Sequence, residues 1–123
     1  MQTLFEFNLP RGYLQASGVV HKQGSMRLAT AGDEIQSMHH PQVQANESYL
    51  PVILLSRVIT RLGNLEEITP QVIEGLFASD LAYLEDLYIR LNTYTSVALE
   101  ATCPHCQRSF EIQVAPIDQA IEV

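Results

Sequence analysis

Cys103 and Cys106, the only two cysteines in a chain of 123 residues, stand three apart in the tetrapeptide CPHC. Thiols at that spacing serve two kinds of chemistry. In thiol–disulfide exchange the first cysteine sits at a helix N-terminus, which lowers its pKa and makes it a reactive thiolate. That chemistry takes a strand before the motif, a helix after it and most of a further domain downstream. Here the run SFEIQV after the motif alternates as a strand does, and little chain follows it, so redox catalysis is not expected.

In metal binding, two thiolates at the tip of a hairpin reach one Zn²⁺, and strand–CPxC–strand is how half of a zinc ribbon looks. Cys103 and Cys106 are therefore metal-ligand candidates, with Zn²⁺ as the candidate cofactor. A structural site needs four ligands, and a second CxxC is absent. His21, His39, His40, His105 or a second copy of the chain are the remaining sources. His105 lies between the cysteines and would point away from a metal they share. His39 and His40 are adjacent, so at most one turns inward, and a solvated helix end is the reading their place before Pro41 favours. A metal-free hairpin tip is the alternative reading of the cysteines. His21 has no partner that the sequence assigns.

Other catalytic constellations do not form. GSMRLATAGDE has glycines but neither the spacing nor the lysine of a phosphate loop. Glu66-Glu67 and Glu85-Asp86 read as solvated faces and first-turn acids, and no serine has a histidine and acid context. The chain is not expected to be an enzyme.

The elements that must carry these residues read as α+β: a β-rich N-terminal region (1–45), a helical middle of about three helices (46–94), a CxxC hairpin (95–116) and an acidic tail (117–123), all in one domain. TLFEFNL (3–9) alternates as a short strand, Pro10 to Gly18 reads as a turn, and Val19 to Thr30 as extended chain broken near Gly24. Thr30 is placed to cap a helical turn over TAGDEIQSM, with Asp33 and Glu34 at its positive end, and His39-His40-Pro41 ends it. Asn46 is expected to cap a helix with Pro51 near its first turn. Its apolar face is Leu50, Ile53, Leu54, Val58, Ile59 and Leu62, and Gly63 is its stop. Thr69-Pro70 opens a second helix carrying Val72, Ile73, Leu76 and Phe77. Ser79 caps a third, on which Leu81, Leu84, Tyr88 and Leu91 follow a helical period and Asp86 pairs with Arg90 four residues on. SVALEAT (96–102) and SFEIQV (109–114) are the hairpin strands.

Hydrophobic residues make up 46% of the chain and charged residues 17%, the composition of a globular protein. No apolar run is long enough for a membrane span, and MQTLFEFNLPRGY lacks the pattern of a secretion signal. A cytoplasmic protein with reduced cysteines is therefore expected. The net charge is −7, with all of the acidic excess after Leu65. A nucleic-acid binder needs a basic footprint, and none is present.

Three stretches recur together in small proteins encoded beside phage tails and contractile injection systems. They are LPRGY (9–13) with TAGDE (30–34), YLPVILLSRVITRLG (49–63) with ITPQVIEGLFASDLAYLEDLYIRLN (68–92), and CPHCQRSFEI (103–112). With these the chain resembles the phage tail assembly chaperone and T4-like baseplate-hub assembly group, Asp80 to Leu84 being the most specific part. The resemblance implies a non-enzymatic cytoplasmic assembly factor or minor component acting on tail tube, baseplate or tape-measure subunits. Binding would run through an apolar helix face with a polar rim, and Tyr83, Tyr88 and Tyr94 are the candidate anchors, Tyr83 because it lies off the apolar stripe. The alternative is a small zinc-ribbon-like adaptor of another cytoplasmic complex.

Overall fold

The structure, a computed structural model, describes residues 1–93, 97–102 and 109–114. Tyr94, Cys103, His105, Cys106 and the tail 117–123 lie outside the described residues. The chain divides into two compact units, Met1–Asn92 and Thr93–Val123.

In the first unit, strands β1 (Leu4–Leu14), β2 (Val20–Arg27) and β3 (Ile59–Leu62) form an antiparallel sheet in the order β1-β2-β3. Helices α1 (Ala31–Met38) and α2 (Pro41–Ala45), a 3₁₀ turn (Glu47–Tyr49) and α3 (Leu50–Val58) fill the connection from β2 to β3. Helices α4 (Pro70–Glu74) and α5 (Ala78–Asn92) follow the sheet. Phe7, Leu9 and Met26 of the sheet pack against Leu55 and Val58 of α3, Ile73 of α4 and Leu84 of α5. Met26, Val58 and Leu84 are fully buried, and each such side chain contributes about 1.5–3 kcal/mol by leaving water. The β-rich start and the helices after it are as the residue patterns predict. Among the described residues no helix is long and apolar enough to cross a membrane.

Several boundaries and caps differ from those expectations, each for a physical reason. The stretch after Pro10 is not a turn. β1 runs on to Leu14 through a shift of register between Asn8 and Tyr13. Pro10, with no N–H to give the ladder, and Gly12, at φ 99°, sit inside that irregularity. The turn proper is short, closed by Gly18 N–H to the Gln15 carbonyl at 2.8 Å.

β2 is not broken at Gly24. The Phe7 ring and the Arg61 carbonyl close over that glycine so tightly that a Cβ would collide with both. The Asn46 side chain caps the 3₁₀ turn rather than the long helix, and α3 ends at Val58. Ile59 to Leu62 is strand, paired through Met26↔Ile59, Ser25↔Arg61 and Gly24↔Leu62. Ile59 and Leu62 are both buried, a spacing that reads as a helix face. A regular strand sends i and i+3 to opposite faces, and here the register shift between Ser25 and Met26 interrupts that alternation. Gly63 donates its N–H to the Gln23 carbonyl at 2.7 Å and so continues the sheet edge.

Leu76 and Phe77 lie beyond α4. The Phe77 carbonyl accepts the N–H groups of Asp80 (2.9 Å) and Leu81 (3.0 Å) and starts α5 one residue before Ser79. Among the described residues the region 46–94 holds three α-helices, α3, α4 and α5, besides the 3₁₀ turn, while α1 and α2 fall within the stretch expected to be β-rich.

Local chemistry places the remaining ends where sequence reasoning puts them. Thr30 and Asp33 form a reciprocal capping box at the start of α1, and Thr69 caps α4 with Pro70 in its first turn. Asp86 and Arg90 pair at 2.8 Å on the solvent side of α5. In the second unit β4 (Val97–Thr102) and β5 (Ser109–Val114) form an antiparallel hairpin with unbroken register from Val97↔Val114 to Thr102↔Ser109.

Candidate functional site

An apolar hollow of the first unit lies between α3 and α5. Pro51 sits in the first turn of α3, where a missing N–H does no harm. From there Leu50 and Leu54, one helical turn apart, face outward beside the buried Leu55. On α5, Leu84 points into the core while Glu85, Tyr88 and Ile89 face α3 from the next turn. Together these residues line a hollow of about 310 Å³. Ile89 at its edge is 60% exposed, a large share for an isoleucine.

Tyr88 is the polar fixture of this groove. Its hydroxyl donates to Glu34 Oε2 of α1 at 2.7 Å. Partial burial, and then the hydrogen bond to the Glu34 carboxylate, push its pKa well above the ordinary phenol value. The phenol thus stays a neutral donor that ties α5 to α1 and fixes the ring as a wall. A second hollow adjoins the first and shares Leu50 with it, its other lining residues being Met38, Val43, Gln44 and Glu47. Met38 is also strongly exposed. The charges on the lining of the two hollows are Glu85 and Glu47, neither hollow being lined by a lysine or arginine. Glu34 adds a third carboxylate beside Tyr88.

No protein-family model, curated protein or solved structure matches this chain. The site is therefore read from its own geometry.

The three tyrosines marked as anchors do not converge. Tyr88 lines the apolar groove. Tyr83 packs partly against the core and lines a separate polar hollow with Glu6, Asn8, Gln23 and Arg61. Tyr94 is outside the described residues. Of the histidines, His39 is the exposed C-cap of α1, and His40 accepts the Gln42 N–H on Nδ1 at 3.2 Å, capping α2. Among the described residues no group of three or more His, Cys, Asp or Glu side chains is placed to hold a metal ion. His21, unassigned from sequence, is buried with two partners. Its Nδ1 accepts the Asn64 N–H at 3.3 Å and its Nε2 lies 2.9 Å from Gln15 Oε1, so Nε2 carries the proton. It locks the end of the β1–β2 hairpin to the chain leaving β3.

Sequence reasoning missed the role of Asp80. This fully buried carboxylate accepts the Arg11 N–H at 2.9 Å on Oδ1 and the Gly12 N–H at 2.8 Å on Oδ2. LPRGY and the start of ASDLAYL thus meet, the carboxylate replacing the ladder partners that the irregular part of β1 lacks. An acid in a first helical turn is the only local trace of this contact. Two of the motifs behind the family resemblance are therefore devices of the fold, and the groove lies elsewhere on α5.

Proposed function

We propose that this chain is a non-enzymatic cytoplasmic assembly factor or minor component of a phage tail-like or contractile injection particle, acting by protein–protein binding on tail tube, baseplate or tape-measure subunits. The observation that carries the binding part is the apolar groove between α3 and α5, rimmed by carboxylates and edged by an exposed isoleucine. A concave apolar strip with a polar rim is how protein interfaces are built. The particle enters through the resemblance of residues 9–13, 30–34, 49–63, 68–92 and 103–112. Co-expressed with tail-tube, baseplate and tape-measure subunits from its own gene cluster, the chain is expected to co-purify in a stoichiometric complex with one of them. Co-purification with none of the three overturns the reading.

A second reading, a small zinc-ribbon-like adaptor of another cytoplasmic complex, is favoured by the hairpin. β4 and β5 stay in register up to Thr102↔Ser109, the pair that brackets CPHCQR. Cys103 and Cys106 bring two thiolates of the four donors a structural zinc takes. A second copy of the chain would bring the other two. The test is elemental analysis with a free-thiol count on protein purified without chelator. Half a zinc per chain is the expected result under this reading, and one per chain with both thiols protected would place the remaining donors within the same chain. No metal with two free thiols eliminates it.

A further inference from the structure

We infer that the α3–α5 groove receives an amphipathic α-helix from a partner chain, with an apolar stripe flanked by lysine or arginine. This rests on the reading that the chain works by binding protein, and it names the chemistry of what is bound.

The helical form follows from the walls. Leu50 and Leu54 stand one turn apart on α3, and Glu85 and Ile89 one turn apart on α5, so both walls are ridges of helical side chains with no free strand edge between them. An extended segment laid there would leave its backbone N–H and C=O groups facing apolar side chains. A helix satisfies those groups within itself and presents ridges that fit such a groove.

The charge of the occupant follows from the rim. Glu85 flanks the groove, Glu34 stands behind Tyr88, and Glu47 lines the adjoining hollow. The nearest base along α5, Arg90, is already paired with Asp86. A second copy docking through the same face would set these carboxylates against one another, which like charges oppose. A helix with basic flanks meets them with opposite charge.

The probes are synthetic peptides of about 18 residues, five helical turns, titrated into the full chain by fluorescence anisotropy. One carries a leucine stripe flanked by lysines, one the same stripe flanked by glutamates, and one the lysine version with a central proline. The lysine peptide should bind at least about tenfold more tightly than the other two. Ile89→Asp, at an exposed position, should weaken that binding at least about tenfold without changing the melting temperature. Glu85→Lys should reverse the preference between the lysine and glutamate peptides. Equal binding of both charge forms, or no effect of Ile89→Asp, overturns the inference. So does self-association of the parent that Ile89→Asp abolishes, since the groove would then belong to a second copy. If tail subunits co-purify equally with parent and Ile89→Asp, the assembly reading stands and the groove assignment falls. If the lysine peptide binds as expected and no tail subunit co-purifies, the opposite holds.

Discussion

Asp80→Ala is expected to lower the unfolding free energy by about 3–6 kcal/mol, because hydrogen bonds to a charged acceptor contribute about 1.5–3 kcal/mol each and two are lost. Both are short, at 2.9 and 2.8 Å from the Arg11 and Gly12 N–H groups, and the carboxylate is fully buried. Domains of this kind have only about 5–15 kcal/mol of stability in total, so the variant should lose a large part of it. The carboxylate also sits in the first turn of α5, where the helix end favours negative charge. Asp80→Asn should fall between parent and alanine variant, since the amide oxygen satisfies one N–H while the amide NH₂ faces the other. Urea denaturation followed by circular dichroism reads the effect. An alanine variant within about 0.5 kcal/mol of the parent, the range of ordinary surface changes, would show that solvent replaces the clamp.

The second large effect concerns acid. Asp33 receives two bonds from Arg27, at 2.6 and 2.9 Å, one from Arg57 at 3.1 Å, and the Thr30 N–H at 2.8 Å. It thereby joins the end of β2, the start of α1 and the end of α3. The bonds from Arg27 above all, against a smaller opposing effect of burial, hold its carboxyl well below the usual carboxylate range. A depressed folded pKa means that the unfolded chain takes up the proton first as pH falls. The stabilisation is therefore complete at neutral pH and declines as pH drops through the ordinary aspartate value near 4. Asp33→Asn should be less stable than the parent by about 1–3 kcal/mol at neutral pH. The lower part of that range is favoured because both arginine side chains are about a third exposed and partly screened. The difference between the two proteins should shrink as pH falls below about 4 and vanish only below the folded-state value of Asp33, well under the ordinary carboxylate range. Urea titrations across that pH range decide it, and a variant that keeps the parent's full acid slope would place the acid sensitivity in other carboxylates.

How much of this was legible in the residues depended on how local the physics was. Thr30, Thr69 and Pro70 act within one helical turn, so their roles as helix starts could be read directly and stand in the structure. The Asp86–Arg90 pair and the alternating hairpin strands were equally visible for the same reason. The Ile59–Leu62 segment was not, because apolar ends three apart follow the helical period, and the strand it forms is irregular. Only the presence of β2 beside it selects the strand. The groove was half legible. Leu50, Leu54 and Tyr88 stand out in the sequence as apolar or aromatic helix positions, but Glu85 reads there as part of a solvated face. The outward facing of Ile89 depends on how α5 rotates against α3.

By itself, then, the order of residues determined the α+β class, the caps of α1 and α4, the antiparallel hairpin and the acidic character of the chain, since each is set by neighbours within a few positions. Tertiary structure alone decided that β1 continues past Pro10, that Asp80 supports it from 68 residues away, and that His21 is locked between Gln15 and Asn64. It also decided which apolar side chains are left facing outward to form a groove. Burial leaves no trace in local periodicity when the partner that covers a residue, or fails to cover it, comes from a distant part of the chain.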